Sequence, residues 1–321
     1  MSEPLIVALP SKGRTKEQVE AWLADCGLDL RVAGGDRGYL ASLKGLDGVQ
    51  VRLLSAGDIA DALEAGDVHL GATGEDLLRE RGPDVESRVL LLRALGFGRA
   101  DLVVAAPKSW LDVETMADLE EVAHDYLART GRRMRVATKY FVQTRAFFAR
   151  HGVADYRITE SSGATEGAPA AGAAELIVDI TTTGATLAAN GLKVLSDGLI
   201  LKSQFQLAAS LCAAWSGPQL AAAERLLRIV EARAAARASA TLVWPAGDGA
   251  DEAAAVARLV AAGAIRRPNG LLVDADRASG VATDLTAAGF GPVTVARPDF
   301  VFDVGCPPFE RLAGQVAGAP V

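Results

Sequence analysis

The stretch ELIVDITTTGAT (Glu175–Thr186) decides how this chain is read. Leu176, Ile177 and Val178 form a short apolar run, as in a strand buried in a parallel sheet. The run reaches an acid, Asp179, and passes into a Thr/Gly-rich turn that opens a short helix over Leu187–Asn190. Backbone N–H groups at a helix start carry partial positive charge and favour a phosphate. Thr181, Thr182, Thr183 and Thr186 add hydroxyl donors, and Gly184 permits close backbone approach or a left-handed conformation. An acid at the strand end suits the vicinal hydroxyls of a sugar. Together Asp179, Thr181, Thr182, Thr183, Gly184, Ala185 and Thr186 read as a cradle for a ribose 5-phosphate. The bland alternative is a capped turn, since Thr and Gly are ordinary turn residues. An acidic strand end plus five Thr/Gly residues exceeds what a turn needs.

Outward from this segment, strand and helix signals alternate, the pattern of α/β architecture with largely parallel sheets. LIVAL (Leu5–Leu9) reads as a buried strand, and Thr15–Cys26 as a helix. Val19, Trp22, Leu23 and Cys26 share one face of that helix. Thr15 and Gln18 suggest a capping box. Further strands are expected at Val51–Leu54, Val68–Ala72, Leu102–Ala106, Met134–Thr138 and Tyr156–Thr159. Ser55 with Asp58 and Thr73 with Asp76 suggest helix caps, and Val113–Thr130 reads as a long helix. Pro218–Ala238 is a helix with Pro in its first turn and an apolar stripe of Ala223, Leu226, Leu227 and Val230. A last unit reads β-α-β-α-β-β, with strands near Thr241–Trp244, Leu271–Asp274, Pro292–Ala296 and Phe300–Phe302.

The 321 residues are half hydrophobic with a net charge of −7, so a large core is expected and general nucleic-acid binding is not. No apolar run is long and charge-free enough for a membrane span, and no secretory signal opens the chain. Cys26, Cys212 and Cys306 are widely spaced and odd in number, which argues for a reducing cytoplasm over disulfides or structural zinc. Cys26 and Cys212 are expected to pack in cores.

Two other turns could carry chemistry. Lys12 and Arg14 precede a helix N-terminus, where two cations and free N–H groups suit a diphosphate; the bland reading is two solvated charges. Thr73 and Gly74, with Glu75 and Asp76, form another helix-start turn whose bland reading is an N-cap. No Ser-His-Asp or Cys-His arrangement is evident. His69 alone is more often a satisfied buried histidine than a catalytic one.

The Glu175–Thr186 segment resembles the phosphoribosyl-diphosphate loop of the ATP phosphoribosyltransferases, the first enzymes of histidine biosynthesis. Gly163–Gly172, Ala8–Arg14, Asp58-Ile59, Gly71–Asp76, Leu95–Gly98 and Arg135–Tyr140 also fall in the family's order. The resemblance covers roughly Pro4 to Leu211, and the ordered set is far more specific than any one motif. It implies two periplasmic-binding-protein-like α/β lobes with a central cleft: residues 1–104 with 203–238, and residues 105–202. A small α+β C-terminal domain over 239–321 is expected by analogy with long family members, where a ferredoxin-like domain binds L-histidine as inhibitor. The β-α-β-α-β-β reading does not reproduce that topology.

The resemblance implies transfer of the phosphoribosyl group of phosphoribosyl diphosphate to N1 of ATP, with Mg²⁺ on the leaving pyrophosphate and metal ligands left open. It gives the pyrophosphate to Lys12 and Arg14, the ribose hydroxyls to Asp179, a ribose or metal-water contact to Glu166, and a wall of the nucleotide site to Thr73 and Gly74. A homo-oligomer is expected by analogy. The chain departs from the family at Ser55, where an Arg is usual, at His69, where an Asp is usual, and at Phe141, where a Pro is usual. The first two are expected near the nucleotide. The rivals are another phosphoribosyltransferase, which typically carries two adjacent acids before its loop, and a two-lobed small-molecule-binding protein, which needs an export signal.

Overall fold

The computed structural model describes residues 3–32, 40–245 and 250–318. The chain begins β1 (Leu5–Pro10), α1 (Gly13–Asp25), β2 (Asp29–Val32), β3 (Leu40–Lys44), β4 (Val49–Leu54), α2 (Ala56–Ala65), β5 (Leu70–Gly74), α3 (Glu75–Arg79) and β6 (Val89–Ala94). It continues with β7 (Ala100–Pro107), α4 (Met116–Thr130), β8 (Met134–Thr138), α5 (Phe141–Arg150), β9 (Tyr156–Glu160), β10 (Leu176–Thr181), α6 (Ala185–Ala189) and β11 (Leu192–Ser203). Then come β12 (Phe205–Ser210), α7 (Gly217–Ala238), β13 (Ser239–Val243), α8 (Ala250–Ala261), β14 (Ile265–Arg267), β15 (Gly270–Asp274), α9 (Ala278–Ala287), β16 (Thr294–Ala296) and α10 (Pro307–Ala317).

These strands form three sheets, ordered β2-β3-β4-β1-β5-β12-β6, β11-β7-β10-β8-β9 and β14-β15-β13-β16. The architecture is the expected α/β one, with two periplasmic-binding-protein-like lobes and a small α+β unit. In the first sheet β1 lies between β4 and β5, parallel to both. Helices cover both faces. The α1 and α7 residues Val19, Leu23, Leu226, Leu227 and Val230 bury against one, and the α2 and α3 residues Ile59, Leu63 and Leu78 against the other. In the second sheet β8 runs parallel to β9 and β10, while β7 is antiparallel to β10 and β11. Residues 100–104, expected in the first lobe, lie in β7 and so belong to the second sheet.

The chain crosses between the sheets at residues 95–99 and returns at Gln204. The crossings are tied together: Leu95 N–H donates to Phe205 O, Phe205 N–H donates to Phe97 O, and the rings of Phe97 and Phe205 stack at 5.9 Å. Gly98 is left-handed, and a Cβ there would press on the Phe205 ring.

Several local expectations shift. No Thr15–Gln18 box caps α1; the helix starts two residues earlier at Gly13, whose φ of +76° turns the chain straight out of β1. Thr73 does not cap α3, because Gly74 holds the N-cap position and the Thr73 hydroxyl donates to Ala56 O at 2.7 Å. Ser55 does cap α2, accepting from Asp58 N–H at 3.2 Å. The long polar helix starts at Met116, behind a Thr115–Asp118 capping box.

The largest correction is in the C-terminal unit, which runs β-α-β-β-α-β. Ile265–Arg267 and Gly270–Asp274 form a hairpin, with Arg267 opposite Gly270 across Pro268-Asn269. Pro-Asn-Gly is turn chemistry of the hairpin kind, and it was the readable signal. Phe300–Phe302 is not a strand. It lies along α7, where Val301 N–H donates to Ala232 O and the Arg233 guanidinium covers the Phe300 ring. Arg233 also clasps Asp25 of α1 at 2.7 and 2.9 Å, and holds that carboxyl down to about 2. Beyond this strap, α10 returns to the first sheet, burying Cys306 and Leu312 in its core. Cys26 is buried there too, whereas Cys212 is exposed and not packed as expected.

Candidate active site

The turn after β10 builds the site. Apolar Leu176, Ile177 and Val178 are wholly buried, so the strand is pinned and Asp179 emerges where the sheet ends. Gly184, at φ +73°, donates its N–H to Thr181 Oγ1 at 2.9 Å and closes the turn. Leu187 of α6 buries against Ile177 and anchors the far side. Thr182 donates to the carbonyl of Arg99 at 3.3 Å, tying the turn to the start of β7. A cavity of about 300 Å³ opens over it, lined by Ala100, Glu166, Asp179, Ile180, Thr181, Thr182, Thr183, Thr186 and Leu187.

Glu166 reaches this cavity from a separate segment. It sits in a single tight turn, Thr165–Gly167, just after Ala164, whose backbone is left-handed at φ 49°. That conformation costs energy for an alanine and suggests a constrained position beside the cavity. Burial holds the Asp179 carboxyl above the usual carboxylate range, and the negative charge of Glu166 adds to this; the Ile180 N–H, 2.8 Å from Oδ1, and Lys139 oppose it. Such an acid gains from hydrogen-bond donors, as a sugar diol would supply.

The cavity therefore unites Glu166, Asp179, Thr181, Thr182, Thr183 and Thr186, with Gly184 and Ala185 in the same turn. It does not include Lys12, Arg14, Thr73 or Gly74. Lys12 and Arg14 are exposed at the carboxyl end of β1, beside Ser55 at the end of β4, where Ser11 N–H donates to Leu54 O. Turns after adjacent parallel strands, at a point where the crossovers diverge, are where open α/β sheets bind ligands. Thr73 and Gly74 are buried, and a Cβ on Gly74 would overlap Asp76 Oδ1.

His69 is a satisfied buried histidine. It precedes β5, at the end of the sheet opposite these turns. Its Nδ1 accepts the Ile6 N–H at 3.1 Å, so Nε2 carries the proton and donates to Ala214 O at 3.1 Å, with Trp215 packed edge-on. Burial lowers its pKa, and the ring bridges β1 and the segment after β12.

Sequence reasoning missed the contact between the lobes. Asp76 is 7% exposed and accepts from the Tyr140 hydroxyl at 2.7 Å and the Ser203 hydroxyl at 2.7 Å. Its own N–H donates to Ser203 Oγ at 3.0 Å, and Gln143 Nε2 donates to its carbonyl. Glu80 accepts the N–H groups of Val142 and Gln143, capping α5 from the other lobe. These partners lie 62 to 127 residues apart, so no local pattern announces them.

A two-lobed α/β protein with an acid and a Thr/Gly turn at one strand end has the form of a phosphoribosyl-transferring enzyme. The family model for ATP phosphoribosyltransferase matches residues 55–231. The chain is 68% identical over 313 residues to the ATP phosphoribosyltransferase of Caulobacter vibrioides (strain NA1000 / CB15N), covering 98% of each. It is 49% identical to that of Nitrobacter winogradskyi, over 97% of this chain and 98% of the other. Among solved structures it resembles a chain of the ATP phosphoribosyl transferase (HisG:HisZ) complex from Thermotoga maritima, with TM-score 0.53 and 24% identity, over 71% of this chain and 98% of that one. The chain belongs to the ATP phosphoribosyltransferase family.

Proposed function

We propose that this protein transfers the phosphoribosyl group of phosphoribosyl diphosphate to N1 of ATP, the first step of histidine biosynthesis. The observation that carries the reading is the cavity where Asp179, Thr181, Thr182, Thr183 and Thr186 converge. In this reading the Thr turn holds the 5-phosphate and Asp179 orients the ribose diol. Adenine N1 attacks the anomeric carbon, the bond to the diphosphate oxygen breaks, and its electron pair leaves with pyrophosphate; the surplus adenine proton passes to solvent. No enzyme nucleophile is needed, because N1 already has a lone pair, and positioning and charge stabilisation do the work. Lys12 and Arg14, exposed at the end of β1, meet the leaving group from the first lobe. Thr73 and Gly74 support a nucleotide wall through the backbone, since the Thr73 hydroxyl is engaged by Ala56.

The residues present suit Mg²⁺. Glu166 and Asp179 offer hard oxygen donors, and that ion is usually held by one or two carboxylates with substrate oxygens and water. Among the described residues no group of three or more His, Cys, Asp or Glu forms a metal cage. When bound, the ion would offset negative charge on the departing diphosphate.

The same reading divides the chain into lobes of 1–104 with 203–238 and 105–202, drawn in to Ala100 by β7, and a regulatory unit over 239–321. The β-α-β-β-α-β order of that unit supports L-histidine as its inhibitor. It also takes the enzyme as a homo-oligomer in the cytoplasm; no helix among the described residues is long and apolar enough to cross a membrane.

The test is the ultraviolet spectrum on mixing ATP, phosphoribosyl diphosphate and Mg²⁺, because substitution at N1 alters the adenine chromophore. A growing product signal is expected, and its absence would refute the activity. Titration with L-histidine tests the regulatory unit; no heat at millimolar concentration removes it.

A further inference from the structure

We propose that Lys139 is a further substrate-binding residue, a second-lobe cation that receives the diphosphate end of the sugar donor opposite Lys12 and Arg14. The inference rests on the phosphoribosyl transfer proposed above. Strands β8 and β10 are parallel neighbours, with Ala137 opposite Ile177. Lys139 follows Thr138, the last residue of β8, and its charge lies close enough to Asp179 at the end of β10 to draw that carboxyl down against burial. Ala137 and Ile177 bury in the cluster that also holds Leu187 of α6, which lines the cavity.

Lys139 is exposed, and its ammonium makes no ion pair with the described residues. Its position is nonetheless set. Nζ lies 5.0 Å from the centroid of the Tyr140 ring, a cation–π distance. Tyr140 is fully buried and donates to Asp76 of the first lobe at 2.7 Å. The ring that Lys139 rests on is thus fixed by the contact between the lobes.

Charge supplies the chemical argument. The cavity lining has two acids, Glu166 and Asp179, and no basic side chain. The donor carries several negative charges, so it needs cations close by. The diphosphate leaves from C1, the end of the ribose remote from C5. In this proposal, with the 5-phosphate in the Thr turn and the diol on Asp179, C1 and its diphosphate lie on the Asp179 side of the cavity. Lys139 stands just beyond the end of the neighbouring strand β8, on the same lobe as the rest of the donor site.

Calorimetric titration of the full chain with inorganic pyrophosphate and Mg²⁺, and separately with ribose 5-phosphate, tests this. Lys139→Ala is expected to weaken pyrophosphate binding about 10-fold or more, the scale of one charge-assisted hydrogen bond, and leave ribose 5-phosphate binding unchanged. Lys139→Arg should restore most of the loss. In turnover, kcat should fall for Lys139→Ala while KM for ATP holds. Unaltered pyrophosphate binding in Lys139→Ala overturns the proposal, and so does an equal loss for ribose 5-phosphate, which would move the contact to the other end of the donor. If wild type turns over while Lys139→Ala binds pyrophosphate normally, only this assignment falls. If wild type binds neither probe and forms no product, the phosphoribosyl-transfer reading falls and takes this one with it.

Discussion

Thr73 and Gly74 end β5 much as Thr181–Gly184 follow β10: a hydrophobic strand, a threonine, a glycine, a short helix. Their surroundings differ. The Thr73 hydroxyl is spent on Ala56 O, and Asp76 is buried among Tyr140, Ser203 and Gln143. The β10 turn faces a cavity, and among the described residues Asp179 accepts from the N–H of its neighbour Ile180. The first turn joins two lobes, and the second lines a cavity. A buried carboxylate with several donors holds structure together, while one short of donors is stabilised by what binds it.

The contrast breaks most sharply at Asp179. Asp179→Asn is expected to cost about 10²–10³ in kcat/KM, the scale of losing one contact to developing charge. It should not lower Tm. The folded-state pKa of Asp179 lies above its unfolded value, so ionising it costs stability as pH rises through that window, and above it the asparagine variant should melt no earlier than wild type. Full activity in this variant, or a lowered Tm at neutral pH, would place Asp179 with the structural acids.

Asp76→Ala should do the reverse. It leaves the buried Tyr140 and Ser203 hydroxyls without their acceptor, at about 2–4 kcal/mol of stability in denaturant unfolding. A variant that kept its stability would remove Asp76 from the structural acids. Tyr140→Phe is a milder form of the same cut, at about 1–3 kcal/mol. Smallest is Ser55→Ala, which removes the α2 cap at about 1 kcal/mol. If KM for ATP rose more than this loss of stability explains, Ser55 would be touching nucleotide where an Arg is usual in the family.

The Asp179 turn was legible because all its parts lie within a dozen consecutive residues. Strand, acid, glycine and hydroxyls are local choices, and a left-handed Gly184 with a Thr181 cap follows from them. The β14–β15 hairpin was equally local, marked by Pro268-Asn269-Gly270, and was overlooked because Leu271–Asp274 reads as one isolated strand. Lys12 and Arg14 read correctly as exposed cations at a helix start, though the cavity does not include them.

The amino-acid sequence by itself determined most strands and helices of the two lobes, the Thr/Gly turn after β10 and the family, because backbone preference and side-chain alternation act over a few residues. Only the tertiary structure decided that Asp76 joins the lobes, that His69 bridges Ile6 and Ala214, that α10 returns to the first core, and that the charge of Lys139 reaches Asp179. Each of these depends on which groups lose water together, and distant segments meet only when the chain has folded.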